Sequence, residues 1–204
     1  MDDLILRVDV VGLPVSPGDA LTRWLRCLPN LVLSGLATLA GVVVAVLGGA
    51  IAVVTGRRPT RLLRFLVWVM RVRARTFAWY FLLAPDRPAV PALGLSDDGT
   101  SAATEVTASP SPTIARWSPP ARLLAMVPSI VIGLAIGILA DLLYPVIVVV
   151  AAARRGLPDR WAAFLADLEV WAVHVFLYLF LATDVLPSIA PPRRGGVEVQ
   201  LDDA

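Results

Sequence analysis

Ionisable side chains that sit inside otherwise apolar stretches are the residues of this sequence best suited to chemistry. Arg64, Arg71, Arg73 and Arg75 fall within Leu62–Ala84, Asp141 within Leu123–Ala153, and Asp167 and Glu169 within Trp161–Leu181. An arginine at the centre of a membrane helix costs roughly 2.5 to 3.5 kcal/mol on insertion scales, so such groups pair with one another, reach to the interface, or line a polar path. In equivalent helices of the two chain halves, Arg71 aligns with Glu169. We therefore expect an interhelical ion-pair or lipid-headgroup layer drawn from Arg64, Arg71, Arg75, Asp141, Asp167 and Glu169, with Arg71 or Arg75 facing one of the three carboxylates. A proton or substrate path and a snorkelling, interfacial arrangement are the other two readings of the same residues.

A second set, Asp167, Trp171, His174 and Tyr178, recurs at helical spacing and shares one face. His174 and Tyr178 give that face a polar character that could relay protons. His174 is the one histidine of the chain and Cys27 the one cysteine, so a zinc site and a disulfide are not expected. No GxSxG, HExxH, phosphate-binding or dinucleotide-binding pattern occurs. We expect no catalytic residue, no cofactor and no enzyme activity.

The elements that position these residues are written in the composition. Of 204 residues, 57% are apolar and 17% charged, and the mean hydropathy is +0.75. A bilayer core of about 30 Å takes about 20 apolar residues per helix, so the chain holds about four such helices and little else. All 18 basic residues are arginine, which fits the codon usage of a GC-rich genome. A net charge of +2 is too mild to imply nucleic acid. The start, MDDLILRVDV, lacks the basic and continuously apolar character of a cleaved signal, so the first hydrophobic span is expected to stay.

Leu31–Thr55 carries no charge and is the clearest span. Along it Ala37, Gly41, Ala45 and Gly49 recur every four residues, and Gly133 with Gly137 does the same in the third segment, so both present small side chains to a neighbouring helix. The break TGRRP leads into Leu62–Ala84, where Arg64, Trp68, Arg71, Arg75 and Trp79 share a face. Residues 85–120 read as a flexible linker of Pro, Ser, Thr, Asp and Gly. Pro128 and Pro145 bend the third segment, and the turn AARRGLPDR leads to the fourth. Tryptophans near the helix ends anchor the chain at the headgroup level. Alternating stretches in both tails, LILRVDV and VEVQL, suggest two strands that pair with each other.

The halves align over about seventy residues with one single-residue slip. Arg23, Leu25, Pro29 and Val32 match Arg122, Leu124, Pro128 and Val131, and beyond the slip Arg57, Ala74, Tyr80, Leu83, Ala84 and Asp86 match Arg155, Ala172, Tyr178, Leu181, Ala182 and Asp184. Two hairpins with both ends on one side make a parallel repeat about an axis along the membrane normal. The basic turns after the first and third segments place both turns in the cytoplasm and the linker and termini outside.

The stretches RWLRCLPNLVL, TGRRP and RFLVWVMRVRARTFAWYFLLAPDRP resemble domain of unknown function 4389, a family of bacterial membrane proteins. The second half resembles a diverged copy. Members end the second helix with an aromatic-Leu-Leu-x-Asp motif and a Tyr-Pro-Pro-Phe stretch; here Tyr80–Asp86 keep the first, and APDRPAVP replaces the second. The resemblance implies membership without a mechanism.

The expected protein is thus all-α and polytopic, with about four transmembrane or interfacial helices forming two repeated hairpins. Its parts are a polar segment 1–26, a hairpin 27–86, a linker 87–120, a second hairpin 121–186 and a tail 187–204. It resides in the bacterial inner membrane, and its partners are the lipid bilayer and other membrane subunits. The expected role is a non-enzymatic accessory or scaffold subunit of an envelope complex, and the alternative is a small transporter or anionic-lipid-binding protein.

Overall fold

A computed structural model describes residues 3–8, 15–84 and 104–190. Four helices and a two-stranded ribbon follow in the order β1 (Asp3–Val8), α1 (Pro17–Thr55), α2 (Thr60–Tyr80), β2 (Thr104–Ser109), α3 (Ser118–Arg154) and α4 (Asp159–Leu179). The all-α class holds, and a polytopic arrangement fits it. Helices α1, α3 and α4 are each long and apolar enough to cross a membrane, whereas α2, with its arginines, is not.

Local chemistry sets the helix ends. Ser16 caps α1 by accepting from the Asp19 amide at 3.1 Å, with Pro17 supplying the fixed φ of a first helical position. The helix stops at Gly56, whose φ of 69° is open to glycine without strain. Arg155 ends α3 in the same left-handed conformation, at φ 57°, although it carries a side chain. Beyond α2 and α4, Leu82 and Leu181 are left-handed too and bury their side chains, so packing outweighs the local strain. At 1.5 Å per residue, the 39 residues of α1 extend about 58 Å and the 37 of α3 about 56 Å.

The elements stack in three layers. In the middle, α2 and α4 bury most of their surfaces, and their side chains Leu66, Val69, Met70, Val173 and Leu177 form the main core. On one side the ribbon lies across them, β2 on α2 and β1 on α4, inserting Leu6 and Val106 into that core. On the other side lie α1 and α3, which pack on each other and on the middle layer. Both expose large apolar side chains along their length, from Leu21 to Val54 and from Leu123 to Val149.

The two hairpins run antiparallel, which corrects the parallel repeat and the shared side of the two turns. The start of α1 meets the turn after α3, where the Val15 amide donates to the Arg155 carbonyl at 3.0 Å. The turn after α1 meets the approach to α3, where Arg58 donates to Pro112 and Ile114 to Gly56. The physical reason is the linker's path: β2 runs antiparallel to β1 along the bundle and delivers the chain to the far end before α3 begins. The segment read as flexible therefore contains a strand. β1 forms where LILRVDV predicts it but pairs with TEVTAS, and VEVQL lies outside the described residues.

Candidate functional site

Each helix pair is closed by a buried arginine. Arg23, in the first turns of α1, donates from Nη1 to the carbonyls of Trp79 and Ala84, 56 and 61 residues downstream, at 3.2 and 3.0 Å. Arg122, in α3, donates to Tyr178 and Thr183, again 56 and 61 residues downstream, at 3.2 and 2.6 Å. Each is steadied from one helical turn before, Arg23 by the Asp19 carboxylate at 2.6 Å and Arg122 by the Ser118 hydroxyl at 2.9 Å. The Arg23 guanidinium lies 5.4 Å from the Trp79 ring and that of Arg122 4.5 Å from the Tyr178 ring. Such forked donors gather carbonyls at the helix ends: Ala84 and Thr183 lie beyond the helices, and Trp79 and Tyr178 also accept from the Leu82 and Leu181 amides at 3.2 Å. The contacts match Trp79 with Tyr178, not Tyr80 with Tyr178, so the one-residue slip in the sequence alignment has no counterpart in the contacts.

Asp184 joins the hairpins. Its carboxylate accepts from Arg122 and from Arg58, which is buried in the turn after α1. Arg58 also donates to the Ser111 carbonyl at 2.8 Å. Asp86, which the sequence alignment sets against Asp184, lies outside the described residues.

The polar layer within the bundle is organised around Glu169. Its side chain is fully buried in α4 and faces Arg73 of α2, with Oε1 3.5 Å from Nε. At that distance the contact is an ion pair too long for a good hydrogen bond, and both carboxylate oxygens are without a hydrogen-bond partner among the described residues. The Arg73 guanidinium also lies 5.0 Å from the Phe176 ring. Arg73 and Glu169, with Asp141 of α3 and Thr76 of α2, line a cavity of about 1070 Å³ that all four helices bound. Its walls are mainly apolar, with Val42 and Val46 from α1 and Ile130 and Leu134 from α3.

The remaining sequence-predicted residues divide. Arg71 donates from Nε to the Val106 carbonyl at 2.9 Å, so it fastens the ribbon to α2. Arg64 is exposed, Arg75 half-buried and Asp167 buried. His174 Nε2 lies 3.1 Å from the Val185 carbonyl, as an Nε2–H donor would, and Trp171 Nε1 donates to Ser188 at 2.8 Å. Chain leaving α4 thus runs back along this face and ties it down.

Of the small residues, Ala37 is buried and Ala45 packs against the main core. A Cβ on Gly41 would lie 3.3 Å from Val69, on Gly133 3.3 Å from Trp171 and on Gly49 3.8 Å from Pro119, while on Gly137 it would meet nothing within 4 Å. No three potential metal ligands cluster among the described residues. Sequence reasoning missed Arg73 as the partner of Glu169, and Arg58 as a partner of Asp184. For Arg23 and Arg122 a signal existed, since both lead their hairpins at matching positions.

Residues 17–90, covering α1 and α2, match the family described as Domain of unknown function (DUF4389). The family expected from the sequence motifs is thus the one that the first hairpin matches. No curated protein and no solved structure matches the chain.

Proposed function

We propose that this membrane protein, whose first hairpin carries that family's pattern, is a non-enzymatic accessory or scaffold subunit held in a larger complex of the bacterial inner membrane. The observation that carries the reading is the ribbon on the flank of the bundle. If α1, α3 and α4 cross the bilayer, β1 and β2 lie beside them at membrane depth. Among the described residues the sheet has two strands and so two open edges, and N–H and C=O groups left in hydrocarbon each cost several kcal/mol. Glu105 and Thr107 are only half-buried there, and Ile5 is exposed. A protein partner seated over the ribbon removes that cost.

The two hairpins are read as copies of one unit. In support, Arg23 and Arg122 use the same sequence separations, and Gly56 and Arg155 the same backbone conformation. Native purification of a tagged chain in mild detergent, with mass spectrometry of what stays bound, tests the reading. A stoichiometric membrane-protein partner is expected; a chain that purifies alone overturns it.

A second reading is favoured by length. At about 58 and 56 Å, α1 and α3 exceed a hydrocarbon core of about 30 Å. In this reading the bundle lies along the membrane, with α1 and α3 immersed and the ribbon in water. Free access of a water-soluble reagent to the ribbon in intact membranes separates the two.

A further inference from the structure

We infer that the cavity bounded by the four helices is a binding site for a membrane amphiphile with a cationic headgroup, the ammonium seated between Glu169 and Asp141. The inference is independent of the partner covering the ribbon. Its first support is charge. The lining carries two carboxylates, the buried Glu169 and the exposed Asp141, and one guanidinium, Arg73, so one negative charge is left over when all three are ionised. In a low-dielectric setting an uncompensated charge is costly, and a cation brought in by a ligand removes the cost.

The second support is the state of Glu169. It is completely buried, it lines the cavity, and neither carboxylate oxygen has a hydrogen-bond partner among the described residues. Arg73 approaches it to 3.5 Å without completing a hydrogen bond. The hydroxyl of Thr76, buried one helical turn from Arg73 and lining the same cavity, likewise lacks a partner among the described residues. Buried polar groups are nearly always satisfied, so acceptors and a hydroxyl left unsatisfied beside one space describe a site built for a donor. An ammonium brings several N–H donors at once.

The third support is size. A volume of about 1070 Å³ is far more than an inorganic cation fills, and it falls at the upper end of sites that hold drug-sized or lipid-like molecules. Walls of Val42, Val46, Ile130 and Leu134 suit an alkyl chain. An anionic lipid, the ligand expected from the arginine content of α2, is disfavoured here: Arg71 is fastened to the ribbon, and the arginine that reaches the cavity already faces a carboxylate.

The test is headgroup preference at constant chain length. The full chain in phosphatidylcholine nanodiscs is titrated with hexadecyltrimethylammonium and with hexadecyl sulfate, and binding is read from the saturable change in tryptophan fluorescence, to which Trp171, lining the cavity, contributes. The expected result is at least about tenfold tighter binding of the ammonium, a difference that Asp141→Asn with Glu169→Gln reduces to within about threefold. Should the double variant fail to fold, Asp141→Asn alone, at an exposed position, is expected to lower the preference by at least about threefold. Equal or tighter binding of the sulfate, or a preference that these substitutions leave unchanged, overturns the inference.

Discussion

Arg122→Ala removes the clamp that holds the end of α4 to the start of α3. In the folded chain that guanidinium donates to two carbonyls, Tyr178 and Thr183, to the Ser118 hydroxyl and to the Asp184 carboxylate. The arginine is 6% exposed, so water reaches the vacated carbonyls poorly. The stranded Thr183 carbonyl costs about 1 to 3 kcal/mol, Tyr178 keeps the Leu181 amide but loses a charge-assisted bond, and together they set the loss at roughly 3 kcal/mol. Asp184 retains Arg58, which limits its share. With a stability change of 1 kcal/mol moving the midpoint of a chain this size by about 2 to 4 °C, the expected drop is about 6 to 12 °C. The assay is thermal unfolding in mild detergent, followed by intrinsic fluorescence and by size-exclusion recovery. Arg122→Lys keeps the charge but not the fork and should recover less than half of the loss. Arg26→Ala is the control, since its pair with Asp19 is exposed and worth at most about 1 kcal/mol. A midpoint within about 2 °C of wild type for Arg122→Ala would refute the clamp.

The other expectations concern single sites. Arg73→Ala leaves Glu169 buried opposite no guanidinium and should lower folded yield sharply, whereas Arg73→Met with Glu169→Met should restore it; equal yields for the single and double variants would count against the ion pair. Gly133→Ala presses a methyl toward the Trp171 ring, which Ser188 holds through Nε1, and should destabilise by about 1 kcal/mol. Gly137→Ala meets open space and should be neutral or stabilising by up to about 1 kcal/mol, as detergent unfolding would read out. Arg155→Gly relieves a left-handed residue on an exposed turn and should raise the unfolding midpoint by about 1 to 4 °C.

What the sequence made legible follows from the range of the forces involved. Helical periodicity and hydropathy are local, so the four helices, the basic turns and the first strand could be read directly. Where α1 begins was misplaced for a related reason. Hydropathy starts the span at Leu31, but the signals for Pro17 were present in Ser16 and in the helical proline itself. Arg23 and Arg26 obscured them, because a sequence does not disclose that Arg23 finds its acceptors at the far end of α2. The pairing of Glu169 illustrates the same limit. Arg71 and Arg73 are two residues apart and point to different sides of α2, so which of them meets α4 depends on how the helices are rotated against each other. The antiparallel arrangement depends on where β2 carries the linker, and a six-residue run of two Thr with one each of Glu, Val, Ala and Ser is a weak signal for a strand. Arg122 and Arg23, by contrast, stood out by their matching places in the two halves before any contact was visible.

The accessory-subunit reading stands or falls on what covers the ribbon. A photo-crosslinking amino acid placed at the exposed Ile5 and at the half-buried Thr107, on β1 and β2, tests it in intact cells. The account predicts that both positions crosslink to the same membrane protein, and that a membrane-impermeant maleimide fails to label Ile5→Cys until that partner is removed. Ready labelling of Ile5→Cys in intact complexes on one side of the membrane, with no protein crosslink from either strand, would contradict it and place the ribbon in water.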